Sequence, residues 1–162
     1  MKVIKKQTNS KLCFICGIDN PYGLVAPFYE MEDGSVISLF QYKDIHQSYP
    51  GRVHGGLISA MLDEIAGRAI WISEPETWAV TTQLNVKYRK PVPYDTPLKA
   101  KGFITRNTRR IFEAHSEIYD MDNNLLAEAD VIYFKQPVKQ IAPLGTEEDV
   151  NVYIPDEITE IN

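Results

Sequence analysis

Cysteine, histidine and long apolar runs are scarce in this sequence. It has two cysteines, Cys13 and Cys16, and three histidines, too few for a disulfide framework. No segment has the apolar length of a membrane span, and the opening residues MKVIKKQTNSKLC lack the apolar stretch of a signal peptide. We therefore expect no membrane association, a cytoplasmic location and reduced thiols.

Positive charge is also scarce. Asp and Glu number 22 against 17 Lys and Arg, a formal net charge of -5. Broad binding to nucleic acid requires clustered positive charge that displaces counterions from phosphates. Nucleic acid is therefore excluded as an expected partner, and any polyanionic ligand must meet a local basic patch.

The 162 residues suit one domain with a single core. Residues 1–12 are polar and lack periodicity, so we expect a loose or peripheral arm. Residues 137–162 are rich in Pro, Asp and Glu and are expected to form a tail that packs on the surface or hangs free. The core domain is expected to span residues 13–136.

One strong helical pattern runs from His54 to about Trp71. Apolar residues recur there at the three-and-four spacing of a wide helix face, and Pro75 follows the pattern. These apolar residues are Leu57, Ile58, Met61, Leu62, Ile65, Ala66, Ala69 and Ile70. The width of the stripe predicts a mostly enclosed helix.

Strand patterns flank this helix on both sides. Before it we predict a hairpin of Leu24–Tyr29 and Ser35–Tyr42, joined by the turn 31–34. After it we predict four strands at Trp78–Arg89, Leu98–Arg106, Arg110–Tyr119 and Leu125–Phe134. In the first of these four, strict alternation puts Val80, Thr82, Leu84, Val86 and Tyr88 on one face and Thr81, Gln83, Asn85, Lys87 and Arg89 on the other.

The resulting layout is α+β, a curved antiparallel sheet around one long helix. Such a sheet has open edges and one face covered by a single helix. Both features favour pairing with a second copy. We expect at least a homodimer.

The segment HQSYPGRVHGGLISAMLDEIAGRA resembles the hotdog-fold thioesterases of the phenylacetic-acid-degradation type, whose mark is HGG followed by a helix that bears an acid. The resemblance extends to CFICGIDNPYGL and LLAEADVIYF, covering about residues 13–135. It implies a hotdog fold, hydrolysis of an acyl-CoA to free acid and CoA, and a homodimer or dimer of dimers. It implies no cofactor, because CoA is part of the substrate.

The two glycines at the helix start can be interpreted without the family. A helix start has unpaired N–H groups and attracts developing negative charge. Gly55 and Gly56 would let a substrate carbonyl approach that backbone, as an oxyanion hole requires. The alternative is that they only permit a tight turn or close sheet packing.

Asp63 is the candidate catalytic carboxylate, as general base or nucleophile. It lies at the border of the apolar stripe beside small residues, with no Lys or Arg three or four positions away. Partial burial would raise its pKa, and we expect Asp63 and Gly55 to meet the same carbonyl carbon. The alternative is a solvated acid on a helix flank. Glu64 is expected to be structural, paired with Arg68 four residues on.

The resemblance assigns roles to further residues. Gly55 matches the family's backbone donor, and His54 and His46 are expected to shape the pocket or hydrogen-bond the loop. Ser48 stands where some members place an Asn that helps to hold the carbonyl. Thr81 matches an assisting hydroxyl on the following strand.

Two basic groups are candidates for binding the CoA phosphates. One ends a strand and the other surrounds the next hairpin, and the alternative is that they are ordinary solvated charges. They are Lys87, Arg89 and Lys90, and Arg106, Arg109 and Arg110.

Cys13 and Cys16 have the spacing of a metal or redox pair. Further ligands at zinc spacing and a thioredoxin-like strand-helix-strand context are both missing, so we expect packing cysteines and no metal.

Two other functions stay open. One is a hydratase or dehydratase that uses His46 and Glu64, and the other is a non-catalytic acyl-CoA binder.

Overall fold

The computed structural model describes the backbone of residues 1–162 and every side chain except that of Glu147. Its strands are β1 (Val3–Lys6), β2 (Tyr29–Met31), β3 (Val36–Phe40), β4 (Gln47–Tyr49), β5 (Arg52–Val53), β6 (Ala79–Tyr88), β7 (Leu98–Asn107), β8 (Ile111–Asp120) and β9 (Leu125–Lys135). Its helices are α1 (Gly55–Arg68), α2 (Val138–Ile141) and α3 (Glu147–Val150), and 3₁₀ turns span Asp44–His46 and Ala69–Ile72.

Helix α1 is the centre of the fold. It packs against β3 and β6 to β9, and Met61, Leu62 and Ile65 on its apolar face are fully buried. His54 caps its first turn, and the 3₁₀ turn continues the helix to Ile72 before Pro75. The predicted helix from His54 to about Trp71 is confirmed.

Seven strands form one antiparallel sheet in the order β1-β2-β3-β7-β8-β9-β6. The hydrophobic core lies between this sheet and α1. The four long strands predicted after the helix are confirmed to within one residue at each end. This single-helix α+β architecture is the predicted hotdog fold.

The predicted strand Leu24–Tyr29 is wrong, because β2 begins only at Tyr29. Val25 has a φ of 49° and Pro27 has no backbone N–H, so this stretch cannot continue a regular ladder. The Leu24 and Ala26 N–H groups instead donate to the Phe14 and Ile15 carbonyls. Residues 43–53, for which no regular structure was predicted, hold a 3₁₀ turn and the separate β4–β5 hairpin.

A β-bulge between Thr81 and Gln83 changes the predicted faces of β6. Thr81 pairs with inward-facing Tyr133, while Leu84 pairs with buried Val131. The extra residue reverses the alternation, so Thr81 and Leu84 lie on the same, helix-facing side of the sheet. The strict alternation that put Thr81 on the opposite face from Leu84 is therefore wrong.

Both ends of the chain contact the sheet. Strand β1 pairs with β2 at the sheet edge, so residues 1–12 are peripheral but not loose. In the tail, Ile161 is buried in a small cluster with Tyr29, Met31 and Ile37. The domain boundaries at residues 13 and 136 stay a prediction. None of the described helices has the length and apolar character needed to cross a membrane.

Gly102 on β7 allows the close approach of helix and sheet. A Cβ there would lie 2.4 Å from the carbonyl oxygen of Ile65 on α1, so the backbones must move apart. We expect Gly102→Ala to lower the free energy of unfolding by about 1–3 kcal/mol in urea denaturation. The matched control is Gly145→Ala, whose Cβ would make an ordinary 3.6 Å contact with Ala142. Equal stability of the two variants would contradict the packing argument.

Candidate active site

Asp63 lines a cavity of about 420 Å³ on one side of α1. The carboxylate is half-buried, and the walls around it are largely apolar. Trp71 and Trp78 meet edge to face there, with ring centroids 5.1 Å apart, and Phe112 stacks on Tyr133 at 4.6 Å. The Asp63 carboxylate and these aromatic rings therefore line the same cavity.

Two hydroxyl groups hold the Asp63 carboxylate. Thr81 Oγ1 lies 2.8 Å from Oδ1, and Tyr133 Oη lies 3.0 Å from the same oxygen and close to the Asp63 carbonyl. Gly67 leaves room for Tyr133, because a Cβ at Gly67 would lie 3.3 Å from the ring. Among the described side chains, no cation forms an ion pair with Asp63.

Burial raises the pKa of Asp63 above its ordinary value near 3.8. The hydrogen bonds from Thr81 and Tyr133 oppose this increase, and the neighbouring charge of Glu64 adds to it. Hydroxyl groups orient a carboxylate without neutralising it as a cation would. Asp63 is thus an oriented carboxylate with a raised pKa. It is better suited to act as a general base than an ordinary surface carboxylate is.

Tyr133 and Tyr88 were missed as site residues. Both share the inward face of their strands with apolar neighbours. Tyr88 is 55% exposed at the end of β6, but Tyr133 is buried, and a buried tyrosine needs a partner for its hydroxyl. That requirement was the available signal in the sequence. It does not identify the partner, which the fold supplies.

At the other end of the site, the start of α1 is capped by His54. His54 Nδ1 accepts the Gly56 N–H at 3.0 Å, so the donor of Gly56, predicted to bind substrate, is already engaged. The Gly55 N–H has no acceptor among the described residues. The Gly55 carbonyl accepts from Ser59 Oγ and Tyr88 Oη, each at 3.0 Å. The free N–H of Gly55 shares its peptide with the His54 carbonyl, which accepts the Leu57 and Ile58 N–H groups, so the peptides on both sides of Gly55 are held.

Gly55 and Asp63 line separate cavities. Gly55 lies in a groove of about 360 Å³ with Ser48, Tyr88 and Arg89, whereas Asp63 lies in the aromatic cavity. Eight residues of α-helix separate them, a rise of about 12 Å. The expectation that both meet the same carbonyl carbon is therefore wrong within a single chain.

His46 is buried and fully engaged. Its Nδ1 accepts the Lys43 N–H at 2.9 Å, and its Nε2 donates to the Tyr22 carbonyl at 2.7 Å. Its carbonyl also accepts the His54 N–H. His46 therefore holds the loop, as one of its predicted roles required, and has no free nitrogen for hydratase chemistry.

The two predicted basic groups lie at opposite ends of the long strands. Arg89 pairs with Glu128 and Lys90 bonds Asn124, and both line the groove of Gly55, whereas exposed Lys87 does not line it. Arg106 pairs with Glu113, Arg109 lines another cavity, and Arg110 is exposed. The strand register puts the second group level with the Ala79 end of β6 and the first group at the Tyr88 end. Ten residues of strand span about 30 Å, so the two groups do not combine in one chain.

Glu64 forms the predicted ion pair with Arg68, with 2.9 Å between Oε1 and Nε. Its other oxygen lies 3.8 Å from Cys13 Sγ, and the ligand atoms of Cys13, Cys16 and Glu64 lie within 4.8 Å of one another. A second possible metal-binding group, His115, Glu117 and Glu128, includes no residue that lines the Asp63 cavity. Glu64 and Asp63 are adjacent, but only Glu64 is neutralised.

Comparison with known proteins identifies the class. The fold is that of hotdog proteins, and residues 50–127 match the thioesterase superfamily. The match to residues 50–127 and the antiparallel sheet around one helix both agree with the prediction from the HGG segment.

Three relatives illustrate the likeness. The acyl-coenzyme A thioesterase THEM4 of Mus musculus is 32% identical over 68% of this chain and 47% of its own length. A hypothetical thioesterase protein of Streptococcus pneumoniae, solved with coenzyme A, has a TM-score of 0.62 at 24% identity, over 69% of this chain and 86% of its own. A phenylacetic acid degradation-related protein of Ralstonia eutropha has a TM-score of 0.61 at 23% identity, over 68% and 85%. This chain thus spans about half the length of the curated relative.

The raised pKa of Asp63 predicts a dependence of stability on pH. The folded protein holds the Asp63 proton more tightly than the unfolded chain does. Ionisation of Asp63 therefore opposes folding once the pH rises above the ordinary aspartate pKa near 3.8. We expect Asp63→Asn to be more stable than the wild type at pH 7. The difference should close as the pH falls towards that value, in denaturation curves measured across this range.

The adjacent acid is the matched control. Glu64→Gln removes the carboxylate partner of buried Arg68 and should lower stability at pH 7 by roughly 1.5–3 kcal/mol. Destabilisation of both variants at pH 7 would contradict the different environments of the two acids.

Proposed function

We propose that this protein hydrolyses an acyl-CoA thioester to the free acid and CoA. The observation that carries the proposal is the un-neutralised Asp63 carboxylate, held by two hydroxyls beside an aromatic cavity. The superfamily match and the name of the mouse relative support the reaction class. No cofactor enters the proposal, because CoA is part of the substrate, and a cytoplasmic location stays a prediction.

In the proposed reaction, Asp63 removes a proton from water, or attacks the thioester carbon itself. The carbonyl oxygen becomes negative in either case and needs a fixed donor about 3 Å away. The free N–H of Gly55, at the positive end of α1, is suited to this task. Thr81 and Tyr133 keep the carboxylate in one orientation throughout.

We propose that a second copy of the chain brings the two groups together. Strand β6 is an edge of the sheet, and among the described strands only β9 pairs with it. A ten-residue edge strand invites pairing, and a symmetric antiparallel pair buries it in both copies. Such a dimer, alone or within a dimer of dimers, is the proposed assembly.

The direction of α1 supports this arrangement. Ser59, near the start of the helix, contacts Tyr88 at the end of β6. Asp63, further along the helix, contacts Thr81 near the beginning of β6. Antiparallel pairing of β6 with its copy sets the beginning of one strand beside the end of the other. Asp63 would then face Gly55 of the partner subunit across the interface.

The CoA phosphates are assigned to the groove that Gly55 lines. Arg52, Arg89 and Lys90 lie along this groove with Ser48. Lys87 precedes Tyr88 on β6 and would take part only if CoA reached the outer face of the sheet. Arg109 and Arg110 would belong to the partner's half of the site. The Streptococcus pneumoniae neighbour, which contains coenzyme A, supports a ligand of this class.

Replacement of Asp63 tests the reaction. We expect Asp63→Asn to lower kcat by roughly 10²–10⁴-fold, with acyl-CoA binding retained, since only the base or nucleophile is lost. Free-thiol release from short, medium, long and aryl acyl-CoA substrates measures turnover. In the wild type, the rate should rise with pH as Asp63 ionises, above its ordinary pKa of 3.8.

Asp122→Asn, the same change in an exposed turn, is the control and should leave kcat unchanged. Full turnover in Asp63→Asn would reject the proposal. Binding without thiol release in the wild type would favour the non-catalytic binder.

The role of Gly55 and the dimer are tested together. Proline fits the first helical position and lacks an N–H, and the extended backbone of His54 is compatible with a following proline. We expect Gly55→Pro to lower kcat by about 10²–10³-fold, while Gly55→Ala, which keeps the donor, retains most activity.

A mixed dimer separates the two possible arrangements. One chain carries Asp63→Asn and the other Gly55→Pro, so a site shared between chains is intact in one of its two copies. We expect such heterodimers to recover activity up to half that of the wild type. No recovery, in dimers verified by mass, would show that each chain uses its own two groups.

A further inference from the structure

The two cysteines lie in the wall of the Asp63 cavity, outside the proposed chemistry. Cys13 and Cys16 are on one turn, closed by a hydrogen bond from the Gly17 N–H to the Cys13 carbonyl. Their sulfur atoms lie within 4.8 Å of each other. Residues three apart on a helical turn have neighbouring side chains, so a small rotation would bring the sulfurs into bonding distance.

The surroundings of the two thiols differ. Arg68 Nη2 lies 3.0 Å from Cys16 Sγ, and Ser10 Oγ lies 3.3 Å from the same sulfur. Cys13 Sγ instead faces the Glu64 carboxylate at 3.8 Å and accepts the Ile15 N–H. A guanidinium stabilises a thiolate and a carboxylate disfavours one, so the turn holds one reactive and one unreactive sulfur.

The pKa directions agree with this geometry. The hydrogen bond with Cys13, with help from Arg68 and Ser10, lowers the pKa of Cys16 to about 7. The pKa of Cys13 is raised by that same contact, by burial and by Glu64. Of the two thiols, Cys16 therefore ionises more readily than Cys13.

We propose that Cys13 and Cys16 are a peroxide-sensitive dithiol that closes to an intrachain disulfide. The Cys16 thiolate attacks hydrogen peroxide, the O–O bond breaks, hydroxide leaves, and Cys16 becomes a sulfenic acid. The Cys13 sulfur then attacks Cys16 sulfur as Cys13 gives up its proton, and water leaves. Two thiols are oxidised, and one peroxide is reduced to two waters.

The exposure of the sulfurs selects a small oxidant. Cys16 is only 1% exposed and borders the Asp63 cavity, so an oxidant small enough to reach the sulfur through the cavity, such as peroxide, is favoured. Zinc is the competing ligand for Cys13, Cys16 and Glu64. Arg68 already supplies the positive charge at Cys16 and Glu64, and this favours the redox pair over a metal.

The test uses mass spectrometry of the full chain, so its outcome does not depend on thioesterase activity. After one equivalent of peroxide, the reduced wild type should lose two hydrogen atoms in mass and take up no iodoacetamide. Dithiothreitol should restore both thiols. Retention of both thiols, or disulfides formed only between chains, would overturn the proposal.

Single variants separate the roles of the two sulfurs. Cys13→Ser keeps the thiolate and lacks the second thiol, so its sulfenic acid should accumulate and react with dimedone. Cys16→Ser should react with peroxide at no more than roughly a tenth of the rate of Cys13→Ser, since the thiolate is the nucleophile. Circular dichroism checks that both variants are folded. Equal peroxide rates in the two variants, or one zinc ion held per chain in the reduced wild type, would refute the assignment.

Discussion

The rigid rise of helix α1 is the constraint on which the candidate site depends. The helix carries a free N–H at Gly55 and a carboxylate at Asp63, about 12 Å apart along its axis. Its buried apolar face fixes it against the sheet, and Gly102 lets the two backbones approach closely. Because the helix is rigid, the Gly55 N–H and the Asp63 carboxylate of one chain cannot meet. A reaction that needs both groups therefore needs a second chain beside the edge strand β6.

Two neighbouring acids on this helix have different surroundings. Glu64 faces the buried guanidinium of Arg68 and belongs to a network with both cysteines. Asp63, one residue earlier, meets only hydroxyl groups and an aromatic cavity. Hydroxyls from Thr81 and Tyr133 orient the carboxylate and leave its charge in place, and burial raises its pKa. A single residue step along the helix, about 100° of rotation, therefore separates a structural acid from a candidate reactive one.

Long, strongly periodic elements were predictable and short irregular ones were not. The central helix and the strands from Ala79 to Lys135 follow from spacing, because each buries one face over many residues. Strands β1 and β2 have only four and three residues, too few to show a pattern of alternating polar and apolar side chains. They are defined by their backbone hydrogen bonds to neighbouring strands. The bulge at Thr81 adds one residue to one strand, and single-strand alternation carries no sign of it.

Four features were predictable from the order of the residues alone: the α+β class, the enclosed helix, the Glu64–Arg68 pair and the HGG segment with its acid. Each depends on residues close in the chain, where helix and strand periods dictate which side chains are neighbours. Three features depend on how the chain packs: Thr81 and Tyr133 reach Asp63, His46 is engaged, and both cysteines lie beside Glu64. Those contacts join segments 18 to 70 residues apart, and only the packing of helix and sheet brings such distant segments together.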